Sequence, residues 1–204
     1  MIALKGAPVS AKMKDEIDEQ KKALSGPAPK LGIVRVGERP DDLSYERGAL
    51  KRMEKLGLAA ESFVFPQDIS HEAFEKEFLA INEDPAIDGI LLLRPLPKQI
   101  DEDKITRLID PEKDLDGISP TNIAKVFSGD ETGFAPCTAE AVIEVLKAYG
   151  IPIAGKRAVV VGRSMVVGRP LAMLLLKENA TVTICHTKTR DLPEVCREGE
   201  ILIA

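Results

Sequence analysis

Apolar positions recur along this chain with two alternating periods, and that alternation predicts an α/β fold built on mainly parallel strands. Val9, Met13, Ile17 and Leu24 stand near helical spacing among Lys, Asp and Glu, which predicts an amphipathic first helix. The period then shortens. Residues 31–36 (LGIVRV) form a β-branched run behind a Pro-rich turn, and GERPDD after them reads as a loop with capping acids ahead of a helix over 43–55. A strand over 62–65, a helix over 71–81 and a strand over 90–93 follow, the last apolar throughout, as in strands buried on both sheet faces. Beyond RPLPKQ, the prolines and acids of 101–117 predict surface loops around one short helix. Functional loops belong here, because ligands of open α/β sheets sit beyond the carboxyl ends of the strands.

A second unit begins near Thr138. In TAEAVIEVLKAYG, Thr138 reads as an N-cap with Glu140 behind it, apolar residues follow at spacings of three and four, and Gly150 ends the helix. A strand over 157–161, a helix over 167–177, a strand over 181–185 and the start of another at 200–204 complete the pattern. The expected division is therefore 1–137 and 138–204. The first part reads as a three-layer α/β domain and the second as a Rossmann-like domain. Such a sheet needs more parallel strands than are present, so the 204 residues are expected to be a truncated product.

Composition narrows the partners. At 44% hydrophobic and 30% charged the chain has enough apolar residues for real cores. A net charge of -5 without a basic arm argues against nucleic acid and anionic membranes as partners. No leader-like or membrane-length apolar stretch stands in the sequence, which predicts a cytoplasmic protein. Cys137, Cys185 and Cys196 are widely spaced, with only His71 and His186 to assist. They suggest neither a disulfide framework nor a metal site, and they read as reduced, mostly buried thiols.

The strongest chemical signal follows the strand RAVVV. In GRSMVVGRP, Gly162 starts the turn and Gly168 lies in the first turn of the next helix, with Arg163, Ser164 and Val167 between them. Small residues there let backbone N–H groups approach phosphates at a helix N-terminus. The spacing is not GxGxxG, and alone it serves an ordinary tight β–α turn equally well. The next strand ends CHTKTR, so His186, Thr187, Lys188 and Arg190 stand where NAD-specific sites carry an acid for the ribose hydroxyl. Cations without a carboxylate, with Arg163 nearby, favour NADP; solvated loop charges are the plainer alternative.

GRSMVVGRP with a strand ending CHTKT resembles the methylenetetrahydrofolate dehydrogenase/cyclohydrolase family. LKGAPV, VRVGERPDDLSY, DPAIDGILLLRPLP, PEKDLDGISPTN and APCTAEAV look like that family's landmarks in the expected order, over essentially the whole chain. The resemblance implies a two-domain α/β homodimer that uses NADP on tetrahydrofolate one-carbon derivatives bound between a catalytic domain and a Rossmann-like domain. By position, Tyr45 matches the tyrosine that packs on the folate ring system and Asp116 the aspartate that hydrogen-bonds the pterin. A π-face suits a flat heteroaromatic, and a carboxylate accepts paired N–H bonds. Pro95, Leu96, Pro97 and Pro136 are expected to shape the cleft.

Two positions depart from the family. The lysine four residues after the tyrosine, which activates water, is Ala49 here, and the glutamine that holds it aligns with Leu93. Loss of a general acid/base group costs ~10² to 10⁴ in rate, whereas hydride transfer depends mainly on placement. The expectation is a methylenetetrahydrofolate dehydrogenase with weak or lost cyclohydrolase activity. The alternatives are a bifunctional enzyme with a relocated cation, Arg52 or Arg94 rather than Lys51, and a non-catalytic binding protein. The family's Pro- and Gly-rich folate loop, near its C-terminus, has no counterpart before Ala204.

Overall fold

The computed structural model describes residues 4–204. Its first element is helix α1 (Gly6–Ala23). The chain divides into two compact units, residues 12–120 and residues 121–204 joined by those up to 11.

In the 12–120 unit, β1 (Lys30–Val36), β2 (Ala59–Phe65) and β3 (Gly89–Leu92) pair in the order β2-β1-β3, all parallel. One face of the sheet carries Val34, Val36, Ile90 and Leu92. Against it pack Phe74, Phe78 and Ile81 of α3 (His71–Glu83), Ile105 of α4 (Glu102–Leu108), and Ile109. Phe74 and Phe78 are fully buried, with ring centroids 6.0 Å apart, and Phe65 meets Phe74 edge-on at 5.4 Å. The other face presents Leu31, Ile33, Leu91 and Leu93 to α2 (Pro40–Leu56), through Ala49, Leu50 and Met53. Helix, sheet and helix make the expected three layers.

Local chemistry sets the ends of these helices. Pro40 occupies the start of α2, where no N–H is needed, and Gly57, at φ 62°, closes it in a left-handed cap. Ser70 Oγ accepts from Ala73 N at 3.2 Å, and Asp101 Oδ1 from Lys104 N at 3.0 Å, capping α3 and α4.

The second unit holds α5 (Pro120–Ser128), which starts at the division, then α6 (Cys137–Ala148), β4 (Arg157–Val161), α7 (Gly168–Lys177), β5 (Thr181–Cys185), α8 (Leu192–Glu198) and β6 (Ile201–Ile203). Its strands pair in the order β5-β4-β6, again all parallel. Ile143 and Leu146 of α6 and Leu171 and Leu175 of α7 pack on Ala158, Val160 and Ile201. The Tyr149 hydroxyl donates to the Lys5 carbonyl at 3.1 Å and accepts from its N–H at 3.0 Å, fastening the N-terminal segment to the end of α6.

Several expectations need correction. Thr138 is not a cap: the Pro136 carbonyl accepts from Ala139 N at 2.9 Å and Glu140 N at 3.1 Å, so the helix starts two residues earlier and Thr138 stands exposed in its first turn. The 101–117 stretch is not merely surface loop, since Ile105 and Asp114 are fully buried and Ile109 is 3% exposed. Of the thiols only Cys185 is buried; Cys137 is exposed and Cys196 half-buried. On the first helix Val9 is buried, but Met13 is exposed and Leu24 lies past its end. Helices α5 and α8 are short, each opened by a proline-containing turn, and neither is among the expected elements, although Ile123, Val126 and Phe127 carry the helical spacing in α5.

Removing the ring of Phe78 should cost about 3–5 kcal/mol, because the site is fully enclosed. Phe127→Ala, at a position 74% exposed, should change stability by no more than about 0.5 kcal/mol. Urea unfolding followed by circular dichroism measures both.

Candidate active site

The residues expected on the folate side lie on or next to the elements around the small apolar cluster beneath α2. Leu93 is 7% exposed, and its N–H donates to Val34 O at 2.9 Å, continuing the β3 ladder by one residue. Ala49 packs against the cluster that Leu93 belongs to, so the two positions where a polar pair is expected share one apolar cluster. Leu115 packs there as well, which anchors the backbone of its half-buried neighbour Asp116. Gly89 makes room for Leu115: a Cβ at 89 would stand 2.5 Å from Leu115 Cδ1. Tyr45, one helical turn before Ala49, is 58% exposed.

The loop carrying Asp116 is braced by Asp114, which the sequence reading passed over. Its carboxylate accepts from Ser119 N at 2.7 Å and Ile118 N at 3.0 Å, and its carbonyl from Gly117 N at 3.2 Å. Beyond Leu93 the Arg94–Pro95 peptide is cis. Glu102 accepts from Leu96 N at 2.8 Å and from Arg94 Nη1 at 3.4 Å, so the arginine beside the vacated glutamine position is already engaged by an acid. Lys51 and Arg52 are exposed on α2. A cavity of ≈ 530 Å³ opens in this unit, but it is lined by residues 37–39 and 64–67 and contains none of Tyr45, Ala49, Leu93 or Asp116.

The second unit assembles the nucleotide turn. Gly162 leaves β4 at φ 139°, and its N–H donates to Cys185 O at 2.8 Å, tying the turn to the end of β5. A Cβ on Gly162 would meet nothing within 4 Å, so that side of the turn is open to an approaching group. A Cβ on Gly168 would stand 2.2 Å from Gly162 O, so the helix start and the turn pack backbone to backbone. Ser164 Oγ accepts from Val167 N at 3.1 Å and Gly168 N at 3.4 Å, capping a helix whose cap position is Val167. At the end of β5, His186 N donates to Thr189 Oγ1 at 2.8 Å, and His186 Nδ1 accepts from Lys188 N at 3.1 Å. Thr187, Lys188, Arg190 and Arg163 are exposed, and no ion pair among the described residues involves these three cations. Pro136 is buried in this unit, away in sequence from the other cleft prolines.

Among the described residues no group of three or more His, Cys, Asp or Glu is placed to hold a metal ion, and no helix is long and apolar enough to cross a membrane.

Comparison with known proteins gives this arrangement a context. Residues 4–116 match the model of the tetrahydrofolate dehydrogenase/cyclohydrolase catalytic domain, and residues 136–204 match that family's NAD(P)-binding domain. The chain belongs to the tetrahydrofolate dehydrogenase/cyclohydrolase family. The first match contains Tyr45, Ala49, Leu93 and Asp116, and the second contains the Gly162–Gly168 turn and His186. The bifunctional protein FolD of Carboxydothermus hydrogenoformans is 55% identical over 203 residues, which are 98% of this chain and 71% of that protein. Among solved structures, the FolD methylenetetrahydrofolate dehydrogenase/cyclohydrolase of Campylobacter jejuni superimposes with a TM-score of 0.94 at 36% identity, over 98% of this chain and 72% of that one. The enzyme of Trypanosoma brucei, complexed with NADP cofactor and an inhibitor, gives 0.86 at 33% identity, over 97% and 68%.

Asp114→Ala removes the acceptor of two backbone N–H groups and should cost about 2–6 kcal/mol, at about 1–3 for each donor left unsatisfied. Gly168→Ala forces a methyl into backbone and should cost at least about 1–3 kcal/mol. Denaturant midpoints check both; an unchanged midpoint for either would contradict the assigned role.

Proposed function

We propose that this protein oxidises 5,10-methylenetetrahydrofolate to 5,10-methenyltetrahydrofolate with NADP, and that it catalyses the following hydrolysis weakly or not at all. The observation that carries the reading is the shared apolar packing of Ala49 and Leu93. Residues 1–137 form the folate-binding catalytic part and 138–204 the dinucleotide-binding part. Membership in the family and relatives named for both activities support the coarse reading.

The nucleotide turn fits the cofactor. Gly162 leaves open space for a phosphate, and the N-terminus of α7 favours an anion there. Ser164, Val167 and Gly168 frame that turn. Arg163, with the His186–Arg190 segment, supplies cations and hydroxyls suited to a 2′-phosphate. When bound, NADP supplies the hydride acceptor. On the folate side, Tyr45 offers a ring face to the substrate's ring system and Asp116 an acceptor pair for its aminopyrimidine edge. Oxidation removes a hydride and needs no side chain to take a proton, so placement by these residues suffices. Hydrolysis requires water to be deprotonated beside the methenyl carbon. Neither Ala49 nor Leu93 holds a proton, Arg94 is bound to Glu102, and an arginine stays protonated. The same reading includes a homodimer, on the strength of the family resemblance, working in the cytoplasm, on the strength of the sequence pattern.

The test is an initial-rate series. NADPH should form with methylenetetrahydrofolate, and its complete absence would overturn the reading. Tyr45→Ala should raise the folate KM about threefold to tenfold while leaving the NADP KM alone. Arg163→Ala combined with Lys188→Ala should raise the NADP KM at least about tenfold, through lost charge-assisted hydrogen bonds, without changing turnover with NAD.

A further inference from the structure

The inner stripe of α2 begins with two acids. Asp42 and Glu46 are buried, one turn apart, and Ala49, Leu50 and Met53 continue the stripe towards the C-terminal end of the helix. Facing Glu46 is Arg35, a buried charge among the apolar residues of β1. Arg35 Nε donates to Glu46 Oε2 at 2.6 Å, with the two side chains 8% and 9% exposed, and Arg35 Nη1 donates to Gly37 O just past the end of β1. The register of β1 on β3 runs Ile33 to Leu91 and Val34 to Leu92. The bond from Leu93 N to Val34 O extends it, so Arg35 stands beside Leu93 on the face covered by α2. The pair thus borders both vacated positions: Leu93 is next to Arg35, and Ala49 is one turn from Glu46.

A buried guanidinium–carboxylate pair is a poor source of net stability, since well-packed apolar residues often do as well. What it adds is direction. Apolar contacts through Ala49, Leu50 and Met53 let a helix slide and roll, whereas a fork held by a helix carboxylate and a strand-end carbonyl fixes both motions. A second clamp lies at the same end: Arg39 Nη2 donates to Asp42 Oδ1 at 2.8 Å and to Arg94 O at 3.2 Å, and Nη1 to Pro95 O at 3.1 Å. Tyr45 sits between the two clamped acids, exposed, adjacent to Glu46.

We propose that Arg35 and Glu46 are positioning residues for the folate substrate, holding the first turns of α2 and with them Tyr45 near the carboxyl end of β1. This rests on Tyr45 being the folate-ring residue. The pair restrains α2 at the place where the family relies on a lysine and a glutamine.

The experiment compares wild type with the double variant Arg35→Leu/Glu46→Leu, which removes both charges without leaving one buried alone. Thermal unfolding is measured first, then KM for methylenetetrahydrofolate and for NADP. The expected result is a folded double variant whose folate KM rises at least about tenfold, as small misplacements of a binding group do, with the NADP KM within about twofold of wild type. A folded double variant with an unchanged folate KM would overturn the proposal, leaving the pair a packing feature only. Should the double variant fail to fold, Glu46→Gln keeps the shape and one hydrogen bond; its folate KM should still rise about threefold or more, and no rise would be equally fatal. An inactive wild type is a different outcome, because it removes the folate reading itself.

Discussion

The seating of α2 on one face of the first sheet is the constraint on which the folate side depends. Leu31, Ile33, Leu91 and Leu93 make a small floor, and Ala49, Leu50, Met53 and Leu115 close over it. That one patch fixes three otherwise separate pieces of chain: the turn of α2 carrying Tyr45, the strand end leading into the cis Arg94–Pro95 loop, and the loop carrying Asp116. Because Ala49 and Leu93 share this floor, the positions of the expected catalytic lysine and its glutamine have become structural. Restoring either polar group alone would bury it in apolar surroundings, where an unpaired polar group costs roughly 1–3 kcal/mol by the measure of protein variants.

The nucleotide side follows a different logic. There the backbone does the work, and two glycines and a serine decide its path: Gly162 turns the chain, Gly168 lets the helix start touch that turn, and Ser164 caps the helix without occupying its open side. Since the turn sits at the carboxyl ends of two adjacent parallel strands, the cations after β5 stand beside it through the Gly162–Cys185 bond. This machinery does not depend on the residues at 49 and 93. On the proposed function, binding and hydride transfer therefore persist without water activation.

Much of this was legible in the sequence because it rests on local pattern. The strands at 31–36, 90–93, 157–161 and 181–185 announced themselves by β-branched apolar runs, and the parallel sheets followed from their alternation with helices. The departures at Ala49 and Leu93 were visible by position, but not that they share a cluster, since they are 44 residues apart and meet only through the fold. Pairings of distant residues were the part that pattern could not supply. Asp114 looked like one more acid in a polar loop, and only its backbone partners show it as the brace for Asp116. Arg35 left a clue, a charge in the middle of LGIVRV that a buried strand cannot hold alone, yet the sequence offers many acids as its partner. The Thr138 cap failed for a related reason: a good capping residue stood two positions past the cap, and a proline carbonyl had already closed the helix start.

The central claim is that oxidation and hydrolysis have been separated at the Ala49–Leu93 floor. It is tested most directly by giving the protein methylenetetrahydrofolate and NADP and following NADPH and the methenyl absorbance together, against spontaneous hydrolysis in buffer. The account predicts that methenyltetrahydrofolate accumulates in step with NADPH and then decays only at the buffer rate. If NADPH rises while methenyltetrahydrofolate never exceeds a brief transient, water is being activated by a group other than the missing lysine, and the account is wrong.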